Sequence, residues 1–270
     1  MYKVKRQLNQ FMSSIDHYEN FPVASWLCPA HLRPAVAALY HFARTADDLA
    51  DEGHDPAHHR LDQLGEYRAD LANCFKPTKV TSAQWPKVFT ALRDAIQQHT
   101  LPVQPLFDLL DAFEQDVIYT RMEQGYRNRD ELLDYCRRSA NPIGRLMLHL
   151  YGVNDEASLI QSDAICTALQ LVNFWQDRAQ DLQRGRNYLP QDHSLAAELV
   201  FARQLMELGA PLVHRIKGRA GWELRAVVQG GLRILDKLDA RVETADHTQL
   251  SRPKLNKFDF VLIAWRCIRM

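Results

Sequence analysis

Asp47 and Asp51, and far downstream Asp177 and Asp181, form two aspartate pairs spaced i, i+4 within stretches patterned as helices. Residues so spaced share one helix face with Cβ atoms roughly 5–6 Å apart, so each pair sets like charges side by side and costs stability unless a cation lies between them. A fold that accommodates both pairs must be helical there. It must also open both faces onto a wet cavity or a metal ion, because burying unpaired carboxylates is costly. A lone pair of this kind ordinarily marks a solvated helix face. Two pairs, each with amide or guanidinium companions and apolar residues behind, point to a site.

The first pair falls in a helix expected between His31 and Gly53, with Pro34 in its first turn and Gly53 as its stop. Tyr40, Arg44, Asp47 and Asp51 lie on one stripe of it, and Val36, Leu39, Phe42 and Ala43 on the side left for packing. The second pair falls in a helix expected from Ser162 or Asp163, as cap, to a stop at Gly185. Its first half is apolar almost all round, as in a helix buried within a larger core. Gln170, Asn173, Asp177 and Asp181 form its polar stripe. Carboxylate and amide oxygens are hard ligands, which suit Mg²⁺ completed by water and substrate phosphate rather than zinc. The expected cation ligands are Asp47, Asp51, Asn173, Asp177 and Asp181.

Composition limits the alternatives. The 270 residues carry 33 Lys and Arg against 33 Asp and Glu, scattered without a basic face, so nucleic acid is not an expected partner. With 46% hydrophobic residues and no repeat or linker-like stretch, the chain reads as all-α and as one domain over residues 1–270. Cys28, Cys74, Cys136, Cys166 and Cys267 lack metal-ligand spacing and sit in apolar helical surroundings, as reduced core thiols do. His58 and His59 in the polar break after Gly53 read as surface residues. No apolar run follows the basic N-terminus, and no uncharged run approaches the ~18 residues of a membrane span, so the expected location is the cytoplasm. The segment Phe258–Met270 leaves two readings: a helix packed into the core, or one lying on the inner face of a membrane.

The wording around the aspartates also resembles a known family. Arg44-Thr-Ala-Asp-Asp-Leu-Ala-Asp51, Asn173-Phe-Trp-Gln-Asp-Arg-Ala-Gln-Asp181 and Gly185-Arg-Asn-Tyr-Leu-Pro190 are similar to the two aspartate-rich motifs and the following Gly-Arg-x-Tyr-Leu-Pro of squalene/phytoene synthases. Tyr135-Cys-Arg-Arg-Ser-Ala-Asn-Pro-Ile-Gly144 resembles the family's Tyr-Cys-x-x-Val-Ala-Gly-x-Val-Gly, a helix broken beside the active site, with Pro142 and Gly144 as physical reasons for a break. Within the family, His17-Tyr-Glu-Asn-Phe-Pro-Val-Ala-Ser25 and the Ser-Ala-Asn-Pro wording look most like hopanoid-pathway hydroxysqualene synthases. Two departures stand out: Gln180 where Glu is common before the last aspartate, and Asn141-Pro142 in place of Gly-x.

The resemblance implies an isoprenoid synthase helical bundle around a central cavity, and a Mg²⁺-dependent enzyme that ionises presqualene diphosphate and traps the rearranged cation with water or, as the alternative, one that joins two prenyl diphosphates into presqualene diphosphate or phytoene. It implies substrate contacts from His17, Phe21, Arg44, Tyr135, Arg138, Ser139, Ala140, Gly144, Gln170, Arg186 and Tyr188. Guanidinium matches phosphate bidentately, which makes Arg44, Arg138 and Arg186 the expected diphosphate clamp, with Lys254 and Lys257 as further cations. A carbocation needs a dry aromatic wall, for which Phe21, Trp26, Tyr40 and Phe113 are candidates. Asn141 or Gln170 would position the water. Partners would be the prenyl diphosphate, a membrane surface and other hopanoid-pathway enzymes. Two other classes remain: a carboxylate-bridged di-iron bundle, which expects Glu-x-x-His pairs absent from this sequence, and a non-catalytic assembly protein on the same fold.

Overall fold

Helix α1 (Arg33–Asp51) begins at the leucine before Arg33 with Pro34 in its first turn, and the chain leaves it through Gly53 at φ +88°, as the sequence predicts. In the computed structural model, residues 27–53, 55–76, 81–243 and 252–270 are described, and they are all-α. After α1 come α2 (Ala57–Cys74), α3 (Pro86–His99), α4 (Gln104–Met122), α5 (Arg129–Ser139), α6 (Asn141–Leu150), α7 (Glu156–Gln183) and α8 (Leu195–Gly209). A 3₁₀ turn, Ala210–His214, leads to α9 (Gly218–Glu243) and α10 (Lys257–Arg269).

The packing face of α1 is the expected one: Val36, Leu39 and Phe42 are buried and Ala43 packs beside them. Phe42 meets the ring of Tyr67 from α2, whose hydroxyl donates to the Phe42 carbonyl at 3.0 Å, and Phe89 of α3 closes the group. Burying each such ring contributes about 2–3 kcal/mol, so this aromatic cluster fixes α1 against α2 and α3. The polar stripe of α1 is thereby turned toward α7.

Helix α7 is longer than the sequence reading. It starts at Glu156, where the Asp155 carboxylate accepts from the Ser158 backbone N–H, and Ser162 lies buried inside it. An aspartate with a serine three residues on competes better for the cap than Ser162, which is walled in by apolar neighbours. Ala164, Ile165, Ala168, Leu171, Val172, Phe174 and Trp175 are buried, which confirms α7 as a helix with core nearly all round. The segment after it turns back at Gly185, whose φ of +78° favours glycine, and the Arg186 N–H bonds the Asp181 carbonyl at 2.8 Å.

The break before the site falls at Ala140, between α5 and α6, and Pro142 starts α6. Gly144 does not cause it. Gly144 lies inside α6, where a Cβ would run into Ser162 Oγ and come within 2.5 Å of Cys166 Sγ. It is the residue that lets α6 lie flush on α7. The cysteines among the described residues are free thiols, as expected, and His58 and His59 are exposed.

Candidate active site

α1 and α7 direct their polar stripes into one charged chamber of about 1820 Å³. Tyr40, Arg44 and Asp51 line it from α1, Asn173, Asp177 and Asp181 from α7, and Arg186 and Tyr188 from the segment beyond Gly185. Beside it lies an apolar cavity of about 560 Å³, walled by Leu39 and Ala43 of α1, Phe113 of α4, Ile143 and Gly144 of α6, Leu169 of α7 and Leu224 of α9. Tyr40 and Arg44 line both spaces, and Asp47 lines the apolar one. The stripe read from the sequence is thus the seam between a charged compartment and an oily one.

Arginines already serve the carboxylates. Arg44 contacts Asp47 at 3.1 Å, Asp48 at 2.7 Å and Glu52 at 2.8 Å. Arg186 pairs with Asp51 while its Nε donates to Thr120 Oγ1 at 3.0 Å, and Arg184 stands 3.5 Å from Asp51. Arg252, in the segment before α10, lies 2.9 Å from Asp177. Even so, burial pushes the Asp47 carboxyl up to about 6 against the pull of Arg44. Burial, reinforced by the neighbouring Asp177, pushes Asp181 up to about 6 as well. Asp177 is raised by burial and held down by Arg252. These carboxylates have less positive charge around them than they need to stay ionised cheaply.

The donor set around Asp51, Asn173, Asp177 and Asp181 is made of oxygens, which fits a hard divalent cation. Among the described residues no three His, Cys, Asp or Glu side chains converge to enclose an ion by themselves.

Tyr135 and Tyr188 meet behind the chamber. The Tyr135 hydroxyl donates to Asp116 of α4, the Tyr188 hydroxyl donates to the same carboxylate at 3.4 Å, and the Tyr188 ring stacks on Phe174 at 3.8 Å. Burial pushes the Asp116 carboxyl up to about 7, against the Tyr135 hydrogen bond and Arg186. The sequence reading missed Asp116 and Arg252. Neither stands in a motif, although Asp116 is an acidic residue in a helix whose neighbours Ala112 and Val117 are core.

Other expected contacts lie elsewhere. Asn141 is buried between α6 and α7, its amide oxygen accepting from the Thr167 hydroxyl at 2.9 Å, so it ties two helices together and lines neither cavity. Arg138 is engaged by Gln115 at 2.5 Å and Asp134 at 2.8 Å, and it, Ser139, Ala140 and Gln170 are outside both linings. Lys254 and Lys257 are exposed. His17, Phe21 and Trp26 lie outside the described residues.

Comparison with known proteins agrees with this architecture. A family model for squalene/phytoene synthase matches residues 16–200. A hydroxysqualene synthase of Sinorhizobium fredii is 36% identical over 260 residues, covering 86% of this chain and 84% of that protein. The hydroxysqualene synthases of Rhodopseudomonas palustris (37% identical, 64% of this chain) and Zymomonas mobilis (38%, 70% of this chain) are matched over only 56% and 62% of their own lengths. Among solved structures, squalene synthase HpnC from Alicyclobacillus acidocaldarius superposes with a TM-score of 0.74 at 32% identity, over 86% of this chain and 92% of that one. A dehydrosqualene synthase in complex with ligand, at 19% identity, shares the fold, with a TM-score of 0.66 over 99% of this chain and 97% of that one.

Proposed function

The chain belongs to the squalene/phytoene synthase family, and from that premise we propose that it ionises presqualene diphosphate and captures the rearranged cation with water, giving hydroxysqualene and diphosphate. The observation that carries this reading is the seam at Tyr40 and Arg44, where a chamber for a charged head group adjoins a cavity for a hydrocarbon. A molecule with both parts would lie across it, its carbon–oxygen bond near Arg44 and Asp47.

Asp47, Asp51, Asn173, Asp177 and Asp181 would hold Mg²⁺, which when bound supplies Lewis-acid neutralisation of the departing diphosphate. Among the described residues no three carboxylates close on one point, so a cation held there would also draw on water and substrate phosphate oxygens. Arg44 and Arg186, which line the same chamber, would bind the diphosphate as well. The carbon–oxygen bond breaks with its electron pair leaving on the diphosphate. Tyr40 and Phe113 offer π faces to the cation left behind, and the apolar walls keep out bulk water. One water adds through oxygen and gives up a proton, for which the released diphosphate is the base at hand. The pathway implied is hopanoid synthesis, and the retained aspartates disfavour a purely structural role.

Incubating the protein with presqualene diphosphate and Mg²⁺ in ¹⁸O-labelled water should yield a C30 alcohol bearing the label. Accumulation of presqualene diphosphate from farnesyl diphosphate, or of phytoene from geranylgeranyl diphosphate, would assign the chain to a condensing branch instead. The phytoene synthase of Mycobacterium tuberculosis, 32% identical over 173 residues, makes those controls necessary.

A further inference from the structure

Helix α10 buries its one acidic residue and leaves a row of apolar residues in the open. Asp259 is 2% exposed, held by Arg233 Nε at 2.6 Å and Lys237 Nζ at 2.5 Å from α9, and it accepts from the Asn256 N–H at 2.7 Å. Ile263 and Cys267 continue the buried face. On the opposite face Phe258, Val261, Trp265 and Ile268 recur at helical spacing and are 85%, 71%, 49% and 73% exposed. A soluble surface helix ordinarily keeps its apolar stripe against the core and its outer face polar.

The exposed charges of segment 252–270 itself are cations. Asp259 is the sole acidic residue of segment 252–270 and it is buried, whereas Lys257 and Arg269 of α10, and Lys254 just before it, are exposed. The Arg269 guanidinium lies 4.0 Å from the Trp265 ring centre. Arg225 of α9 bonds the Cys267 carbonyl at 3.2 Å and covers the half-exposed Trp222 ring, so a second tryptophan extends the patch. Asp236 of α9 pairs with Arg266 of α10 at 3.1 Å, which leaves Lys257 and Arg269 as the exposed charges of α10 in a chain with no net charge.

We propose that this face docks on an anionic phospholipid bilayer, with α10 lying in the interfacial plane. Its 13 residues are too few to span a membrane, and among the described residues no helix is long and apolar enough to do so. Apolar and aromatic side chains flanked by Lys and Arg are what an interfacial helix presents to acidic head groups. The docking has a further geometric sense. Leu224 and Val227 of α9 line the apolar cavity, while Arg233 and Lys237 of the same helix hold α10. Docked lipid would lie one helix away from that cavity. The inference does not depend on which reaction the site performs.

Vesicle flotation of the full chain tests it without an activity assay. The protein should float with phosphatidylcholine vesicles containing phosphatidylglycerol, release as salt rises, and float poorly with phosphatidylcholine alone. Phe258→Ser combined with Val261→Ser and Ile268→Ser should lower partitioning by about tenfold or more, since each removes exposed apolar area that would be buried in lipid. Lys254→Gln with Lys257→Gln and Arg269→Gln should remove the preference for anionic vesicles. Unchanged circular dichroism and melting temperature would show that the variants fold. Brominated lipid should quench the native protein more than Trp265→Phe. No flotation, equal flotation on neutral vesicles, or flotation indifferent to the serine changes would overturn the proposal. So would a dimer in sedimentation that the serine changes dissolve, since the face would then belong to a second copy.

Discussion

Arg186 reaches from the turn after α7 to Asp51 at the end of α1, an ion pair between two residues that both line the charged chamber. The guanidinium holds a carboxylate that the metal reading assigns to a cation. Cation binding at Asp51 would therefore free Arg186 for the anion that accompanies the metal. Arg252 stands in the same relation to Asp177.

Asp181→Asn should reduce turnover by about a hundredfold or more, because one charged ligand for the leaving-group cation is lost. The fold should survive, and the melting temperature should hold or rise, since the change removes the repulsion between Asp177 and Asp181 that raises the latter's carboxyl. Steady-state kinetics beside calorimetry checks both halves. Wild-type turnover would remove Asp181 from the metal set.

Activity should vanish with a chelator and return with Mg²⁺ or Mn²⁺. The proposed ligands are hard oxygens, so elemental analysis should find neither iron nor zinc at stoichiometric level. Tightly bound iron would contradict the assignment.

Without metal, stability should fall as pH rises from about 4 to about 7. Asp47 and Asp181 are pushed up to about 6 and Asp116 up to about 7, above their unfolded value near 3.8. The folded state therefore holds protons that the unfolded chain has released, and that contribution, complete at acid pH, disappears as pH passes through 6 and 7. Mg²⁺ should raise the melting temperature more at pH 7.5 than at pH 5.5. Asp116→Asn should flatten the metal-free profile, and an unaltered profile would exclude Asp116 as its source.

Gly144→Ala should destabilise the protein by about 1–3 kcal/mol through overpacking, because the new methyl meets Ser162 and Cys166 across the α6–α7 contact. Adding Ser162→Ala and Cys166→Ala should recover part of the loss in denaturant titration. Full stability of the single variant would mean that α6 can slide.

The two aspartate helices were legible because three signals agreed: spacing, an apolar face behind each stripe, and Pro34, Gly53 and Gly185 at the ends. The start of α7 was not, because Ser162 has the chemistry of a cap and only tertiary packing reveals it as core. Asn141 looked available for water because a polar residue beside a proline carries no mark of its partner, and Thr167 lies on another helix. Asp116 and Arg252 were invisible for the same reason: what singles them out is Tyr135 and Asp177, brought to them by the fold. The exposed apolar row of α10 needed the structure too. Its apolar residues are plain in the sequence, but which side Asp259 faces is decided by Arg233 and Lys237.

The reversal at Gly185 also bears on how the site comes into being. It folds Arg186 back over the last turn of α7, a local event, yet the partners in α1 are remote: Arg184 and Asp51 are 133 positions apart. Contacts so distant along the chain close late, after their loop entropy has been met by other packing. The chamber is therefore a product of complete folding, with no half-built precursor able to bind its anion. Fragments carrying either aspartate helix alone should be inert, and mixing them should restore the chamber only where α1 regains its seat against α7.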